Sequence, residues 1–222
     1  MHSVLPPTKR ERRKEARPGE LLEAALALFV EKGFAATRVE EVAARAGVSK
    51  GTLFLYFPSK EELFKAVVRE TLSGRFGEWN QELAVFPGNS TELLQYTMRS
   101  WWERIGMTAA SGITKLVMSE AGTFPEIASF YQHEVIDPGK ELLKRVLQRG
   151  IDRGEFRAMD LDTAVYSLIA PMIFLLMWKH SMAPCCPPSD RLDPVAFLET
   201  QVDLLLGGML VRPQNNPDKT FP

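Results

Sequence analysis

Apolar residues recur along this chain at the three- and four-residue spacing of amphipathic α-helices. The alternating apolar and polar runs that are typical of β-strands are missing, and so are the Asn-Gly and Asp-Gly turns that would join such strands. The pattern therefore predicts an all-α fold of about nine helices.

The first two predicted helices are marked by residues that begin and end helices. The first opens near Pro18, because proline suits the first helical position, and it stops at Gly33. The second is short and covers about 39–46, with Thr37 as the candidate N-cap. We expect both helices to turn their apolar sides toward a common core.

Two more helices follow after a tight turn. Gly47 turns the chain, and Ser49 can cap a third, very short helix that Pro58 ends. Ser59 can then cap a fourth helix, with a glutamate three residues later in the capping-box position. Residues 37–57 thus predict two short helices joined at a glycine, which is the arrangement of a helix-turn-helix.

The remaining helices are predicted at roughly 90–106, 110–121, 125–150, 161–182 and 194–210. The last two are apolar almost all round, so they must be covered on every side, and a second copy of the same pair would cover them in a homodimer. The run from Ala164 to Trp178 is shorter than the roughly 18 residues of a bilayer span, which predicts a buried helix and no membrane association.

Charge is distributed unevenly between the two parts of the chain. Residues 1–60 hold eleven Lys and Arg against seven Asp and Glu, whereas the rest of the chain is acidic and the net charge is −1. A basic head on an acidic body favours contact with nucleic acid at one end. For the basic segment 1–17 alone, a solvated tail is the alternative interpretation.

The predicted third helix carries the candidate chemistry. Ser49, Lys50 and Thr52 stand in its first turn, where backbone N–H groups also favour phosphate. Gly51 has no side chain and would let the backbone approach a base edge closely. A helical hairpin within a bundle is the alternative to DNA binding.

The segment TRVEEVAARAGVSKGTLFLYFPSKEELF, Thr37 to Phe64, resembles the DNA-binding signature of the tetracycline-repressor (TetR) family of bacterial transcription regulators. The resemblance extends from Pro18 to Phe64, and weaker resemblances cover Ser119–Tyr131 and Arg149–Arg157. It implies an N-terminal three-helix head that binds double-stranded DNA, on a larger helical body that dimerises and binds a small molecule. The domains implied are a basic tail (1–17), a head (18–64), a body (65–211) and a disordered tail (212–222).

The resemblance also implies which residues contact a pseudo-palindromic operator. The family usually has Tyr where this chain has Phe54, and Phe lacks the hydroxyl for a phosphate contact. Of the others, Lys60 is expected to bind a phosphate, and Thr37 and Arg38 the opposite wall of the groove. The implied DNA-binding residues are Thr37, Arg38, Ser49, Lys50, Gly51, Thr52, Tyr56 and Lys60.

Aromatic and methionine side chains in the body predict a cavity for an apolar or aromatic effector. For each of them core packing is the alternative, and for Glu120 the alternative to a polar ligand anchor is a solvent-facing or salt-bridged carboxylate. The candidate ligand-binding residues are Trp101, Trp102, Met118, Glu120, Tyr131, Phe174, Met177 and Trp178.

The sequence offers no arrangement for catalysis, no metal-ligand spacing and no cofactor motif. Its two cysteines are adjacent and cannot form a disulfide framework, and no apolar leader follows the N-terminus, so we expect a cytoplasmic protein. The prediction is a ligand-responsive repressor. A helical protein-interaction module and, more remotely, a helical enzyme remain as alternatives.

Overall fold

The computed structural model describes the backbone of residues 9–210 and the side chains of residues 18–210. This part of the chain contains helices and turns and a single isolated β-bridge, Phe156 to Leu210, so the predicted all-α class is confirmed. The α-helices are α1 (Lys9–Ala36), α2 (Val39–Arg45), α3 (Lys50–Tyr56), α4 (Lys60–Thr71), α5 (Phe76–Ala84), α6 (Ser90–Trp101), α7 (Gly112–Glu120), α8 (Pro125–Tyr131), α9 (Asp137–Asp152), α10 (Leu161–Met177) and α11 (Pro194–Met209).

The chain divides into two compact units. The first comprises Met1–Phe76 and Ile105–Asp137, and the second comprises Gly77–Arg104 and Pro138–Pro222. Segments 18–64 and 105–137 thus belong to one unit. The boundary expected after residue 64, like the other expected domain limits, stays a prediction.

In the first unit, α1 packs against α2, α4 and α7, and α4 packs against α8. Its centre holds a group of phenylalanines, in which Phe29, Phe34 and Phe64 lie 5.5–5.7 Å apart between ring centroids. Phe124, which precedes α8, adds a fourth ring 5.0 Å from Phe34. Such edge and offset contacts stabilise a core beyond the area they bury, so this cluster fixes α1 and α4 against the end of α7.

In the second unit, α11 packs against α6 and α10. One apolar cluster unites these helices with α9, and its members include Leu94, Met98, Leu147, Leu168 and Val202. Phe156 is also fully buried, against Gly150 of α9. The inward sides of α10 and α11 are therefore buried against other helices of the same chain.

The prediction that α1 opens at Pro18 is wrong. The helix begins at Lys9 and Pro18 lies inside it, because this long helix tolerates the one main-chain hydrogen bond that proline removes. The backbone of residues 9–17 is therefore helical. Residues 1–8 and the expected disordered tail 212–222 lie outside the described residues.

Helix α5 was not predicted. Gly74 and Gly77 weaken the helical signal at its start, yet Phe76, Trp79 and Leu83 have the spacing of one helix face. The helix predicted over 125–150 is present as α8 and α9, joined without a break through the π-helical turn Gln132–Ile136. The π-helical turn lies just before Asp137 and Pro138.

Segment Leu161–Cys185 is long and apolar enough to cross a membrane by length and composition alone. A helix that lies in a protein core or interface passes the same test, and 33% of its apolar window is already buried in this chain. A single helix of this kind does not indicate a membrane protein.

Apolar side chains also remain on the outer surface of the second unit. Tyr166 and Phe174 of α10 and Val195 and Leu204 of α11 are exposed, although α10 and α11 bury their other sides. Exposed apolar side chains of this size are a feature of interaction surfaces.

Candidate nucleic-acid interface

Helices α2 and α3 are joined by the predicted glycine turn. Gly47 has a φ of 67°, a backbone conformation that favours glycine. The conformation and not the available space selects glycine here, because a Cβ on Gly47 would meet no neighbour within 4 Å. After the turn, the Val48 N–H donates to the Ala43 carbonyl at 2.9 Å. Val42, Ala43 and Leu53 are buried between the helices, so the remaining side of α3 faces outward.

The start of α3 gathers four of the predicted DNA-binding residues. Ser49 caps the helix by accepting a hydrogen bond from the Thr52 N–H at 3.1 Å, and the two hydroxyl groups lie 2.9 Å apart. Lys50 and Gly51 are exposed beside them. The arrangement places hydroxyl, ammonium and bare backbone groups together at a helix N-terminus, where anions are favoured.

Lys50 is paired with an acidic residue of α2. Its Nζ lies 2.6 Å from Glu40 Oε1, and both side chains are largely exposed. The hydrogen bond from Lys50 lowers the pKa of Glu40 below its usual value. Lys50 also lies over the Phe54 ring, with its Nζ 5.7 Å from the centroid, so Phe54 contributes a packing surface.

One outward residue of α3 was missed by the sequence analysis. Leu55 is 84% exposed, which is unusual for a leucine in a helix this close to a packed core. It follows Gly51 by four positions and Thr52 by three, so the three residues share one side of α3. The signal was present in the sequence, because helical spacing puts Leu55 opposite the buried Leu53. Tyr56, which the resemblance places among the DNA-binding residues, is partly buried.

Thr37 is a correction to the predicted DNA-binding set. Its side chain is 2% exposed, and its hydroxyl donates to the carbonyls of Gly33 at 2.6 Å and Leu28 at 3.1 Å. It does not cap α2 either, because Arg38 occupies the N-cap position. Arg38 is exposed and stays available, whereas the Thr37 side chain holds the end of α1.

Lys60 is a second correction. Its Nζ donates to the carbonyls of Phe34, Ala35 and Thr37 at 2.8, 3.3 and 3.2 Å. It also lies 4.4 Å from the centroid of the Phe34 ring. The last carbonyls of a helix lack helical partners and favour a cation, so this ammonium caps α1 and is not a free phosphate ligand.

Three predicted effector-binding residues lie in the first unit. The Glu120 carboxylate accepts hydrogen bonds from the N–H groups of Phe34 and Ala35, a role that neither interpretation of this residue included, and it remains partly exposed. Tyr131 is buried with its hydroxyl 2.9 Å from that of Thr114, and burial raises its pKa. Met118 is exposed.

The other five candidates lie in the second unit. Trp102 is buried in the apolar cluster, Trp101 packs beside it, and Met177 is partly buried. The Phe174 ring lies 6.2 Å from that of Trp178, whose buried indole Nε1 has no hydrogen-bond partner among the described residues. The structure thus gathers these residues only into two separate ring pairs.

A cavity of about 270 Å³ lies between α6 and α11 in the second unit. Met98, Trp102, Leu198 and Val202 supply its apolar wall, and the exposed Arg99–Glu199 ion pair, at 3.2 Å, lines it as well. Trp102 is the one predicted effector-binding residue in this lining. Among the described residues, no group of three or more His, Cys, Asp or Glu side chains is placed to hold a metal ion.

Comparison with known proteins places this geometry in a family. Residues 21–67 match the model of bacterial regulatory proteins of the tetR family, and residues 90–184 match the tetracyclin repressor-like C-terminal domain. An uncharacterised HTH-type transcriptional regulator of Mycobacterium tuberculosis is 30% identical over 190 residues, which cover 85% of this chain and 86% of that one. This chain belongs to the tetR family. It is therefore a DNA-binding transcriptional regulator, and its family consists of transcriptional regulators rather than enzymes.

Other tetR-family proteins resemble the chain over most of its length. The HTH-type transcriptional repressor KstR2 of M. tuberculosis is 34% identical over 158 residues, covering 69% of this chain and 76% of the repressor. Its solved structure, described as a ketosteroid transcriptional regulator, has a TM-score of 0.61 at 23% identity and covers 88% and 96% of the two chains. The structure of the regulator FadR of Bacillus subtilis, solved with stearoyl-CoA, has a TM-score of 0.63 at 19% identity. The match covers 86% of this chain and 98% of the FadR chain.

Proposed function

We propose that this chain is a cytoplasmic, ligand-responsive repressor, which binds a pseudo-palindromic operator as a homodimer and releases it when a small molecule occupies the C-terminal part. The observation that carries the proposal is the exposed first turn of α3, where Ser49, Lys50 and Thr52 surround a bare backbone position. The similarity to the repressor KstR2 supports the direction of regulation.

The proposed DNA contacts are divided between bases and phosphates. A Cβ on Gly51 would meet only Ser49 Oγ, at 3.8 Å, so the fold itself does not require glycine at this position. The proposed reason for the glycine is that it lets a base edge approach the backbone closely. On binding, the Lys50 ammonium would leave the Glu40 carboxylate and contact DNA instead. The proposed set is Arg38, Ser49, Lys50, Gly51, Thr52, Leu55 and Tyr56.

The proposed dimer forms through α10 and α11. Tyr166 and Phe174 are exposed two helical turns apart on α10, and Leu204 is exposed on α11 beside Gly207 and Gly208. Small residues let another helix approach closely, and a two-fold axis would bury both apolar surfaces at once. Two heads related by this axis would reach successive major grooves, about 34–36 Å or a multiple apart.

The proposed effector is apolar or aromatic. Trp101, Trp102, Met118, Phe174, Met177 and Trp178 stay candidates for its site, whereas Glu120 and Tyr131 are committed to contacts within the chain. The steroid in the description of KstR2 and the acyl chain of stearoyl-CoA in FadR are both large apolar groups, in agreement with this class.

Titration of a duplex at several salt concentrations tests DNA binding directly. Phosphate contacts release counterions, so the logarithm of the affinity should fall linearly and steeply with the logarithm of the salt concentration. Lys50→Ala should bind more weakly than the unsubstituted chain at every concentration. A flat salt dependence would contradict the proposal and favour the protein-interaction module.

A further inference from the structure

The last residues of α1 and the residue that follows them form a short joint before α2, residues 33–37. Gly33 interrupts the helix with φ 85° and ψ 171°. The next two N–H groups, of Phe34 and Ala35, donate to Glu120 Oε1 at 2.8 Å and Oε2 at 2.9 Å. Each carboxylate oxygen thus binds one peptide group of the joint.

The carbonyl groups of the same joint are held from the opposite direction. Lys60, at the start of α4, donates to the carbonyls of Phe34, Ala35 and Thr37. The Thr37 hydroxyl, inside the joint, binds back to the Gly33 carbonyl. Residues of α7 and α4 therefore fix both sides of these peptide groups, and α2 begins two residues further on.

The Glu120 carboxylate lies directly against Gly33 at the start of the joint. A Cβ built on Gly33 would collide with Glu120 Oε1, and the φ of Gly33 also disfavours any other residue. Hydrogen bonds to a charged carboxylate are stronger than neutral ones, and two parallel bonds fix direction as well as distance. Glu120 is the last residue of α7 and lies within the stretch that matches the C-terminal domain.

We propose that Glu120 is a positioning residue for DNA binding: by holding the peptide groups of Phe34 and Ala35, it sets the position from which α2 and α3 present their contacts to the operator. This inference rests on the proposed DNA contacts of α3. It assigns to the end of α7 an indirect role in operator affinity, which acts through the peptide groups of Phe34 and Ala35.

The test compares Glu120→Gln with Glu126→Gln, which removes the same charge at an exposed position of α8. Affinities are measured for a duplex that the unsubstituted protein has selected from a random pool and for a scrambled duplex. Loss of positioning should lower the ratio of the two affinities about 2- to 30-fold in Glu120→Gln. Glu126→Gln should leave the ratio unchanged, because a charge change alone acts on both duplexes alike.

Amide hydrogen exchange supplies the local readout. In Glu120→Gln the amides of Phe34 and Ala35 should exchange faster, whereas those in the middle of α1 should keep their protection. An unchanged affinity ratio together with faster exchange would overturn the proposal, and so would an equal loss in Glu126→Gln.

Glu120→Asp is the second variant, since it keeps the charge on a shorter side chain and should show the same loss. Thermal melting checks that each variant is folded, and failure of both to fold would reduce Glu120 to a stability role and contradict the inference. If the unsubstituted protein selects no duplex at all, the proposed function fails instead, and the two failures are thereby distinguished.

Discussion

At the scale of single residues, the exposed side of α3 is the surface that we propose to decide sequence preference. Gly51, Thr52 and Leu55 share this side, and each presents a different chemistry to a major groove: bare backbone, hydroxyl and branched aliphatic. The C5 methyl of thymine is the apolar group that the major groove displays. Leu55 is therefore expected to contact a thymine.

We predict that one thymine of the selected duplex is read through its methyl group by Leu55. Replacing that thymine by deoxyuridine should weaken binding of the unsubstituted chain by about 0.8 kcal/mol, the value for one buried methyl-sized group. Leu55→Ala should bind the two duplexes equally. Fluorescence anisotropy with one deoxyuridine at a time measures this, and the interpretation is wrong if no replacement affects the unsubstituted protein.

A second residue-scale prediction concerns Lys60, whose ammonium caps α1. Lys60→Met keeps an unbranched side chain but removes the ammonium that lies over the Phe34 ring, and it leaves three carbonyls without their donor. We expect the free energy of unfolding to fall by about 1–3 kcal/mol, measured by urea denaturation. The salt dependence of duplex binding should not change. A slope reduced by about one unit at unaltered stability would instead make Lys60 a phosphate contact.

At the scale of helices, the electrostatic balance of the head depends on how α2 faces α3. The Glu40 carboxylate neutralises Lys50 in the free protein and would lie close to DNA phosphates in the complex. A phosphate contact by Lys50 therefore replaces its ion pair with Glu40, which reduces the net gain in binding free energy.

We accordingly predict that Glu40→Gln binds both selected and scrambled duplexes more tightly than the unsubstituted chain. The change removes a competing carboxylate and a repulsive charge together. Electrophoretic mobility shifts at fixed salt concentration measure the effect, with Glu126→Gln as the matched control. Equal or weaker binding by Glu40→Gln would show that the pair holds Lys50 in its binding position rather than competing for it.

Local signals in the sequence predicted α2, α3 and α4 well, because their limits depend on caps and turns within a few residues. Ser49 and Ser59 cap their helices, and Gly47 turns the chain as expected. The failures involve partners distant in sequence. Glu120 binds peptide groups 85 and 86 positions away, and Lys60 binds carbonyls 23 to 26 positions away. No spacing rule within a helix reveals such contacts.

The same reasoning explains the outcome for the candidate site. Helix periodicity puts Gly51 opposite the buried Leu53, and Ser49 and Lys50 are exposed because they lie at the cap and first position of the helix. Thr37 was assigned to DNA binding through the resemblance and to the N-cap of α2 through its position, whereas tertiary packing against the end of α1 buries it. The aromatic residues of the body share no local pattern that could separate cavity lining from core.

At the scale of the whole molecule, dimerisation is what would convert a short reading helix into a specific regulator. One α3 offers few contacts, whereas two copies on a two-fold axis double the phosphates neutralised and read two half-sites. In the proposed dimer, the exposed apolar residues of α10 and α11 would supply the surface for this assembly, which an interface of the obligate type requires.

We predict that Leu204→Glu gives a monomer that no longer binds the selected duplex. Leu204 is 69% exposed, so the charge would not disturb the chain's own core, whereas in the dimer it would be desolvated. The neighbouring Leu205 packs against that core and would test stability instead. Val85→Glu, at a residue that is 79% exposed after α5, is the control. Sedimentation should find it dimeric, and a dimeric Leu204→Glu would place the interface elsewhere.

The central claim is that this protein reads DNA with two symmetry-related copies of α3. Selection of bound duplexes from a random pool, followed by sequencing, tests it most directly. The account predicts enrichment of an inverted repeat whose half-site centres lie about one helical turn, or a whole number of turns, apart. Enrichment of a single half-site without symmetry, or no enrichment at all, would contradict it.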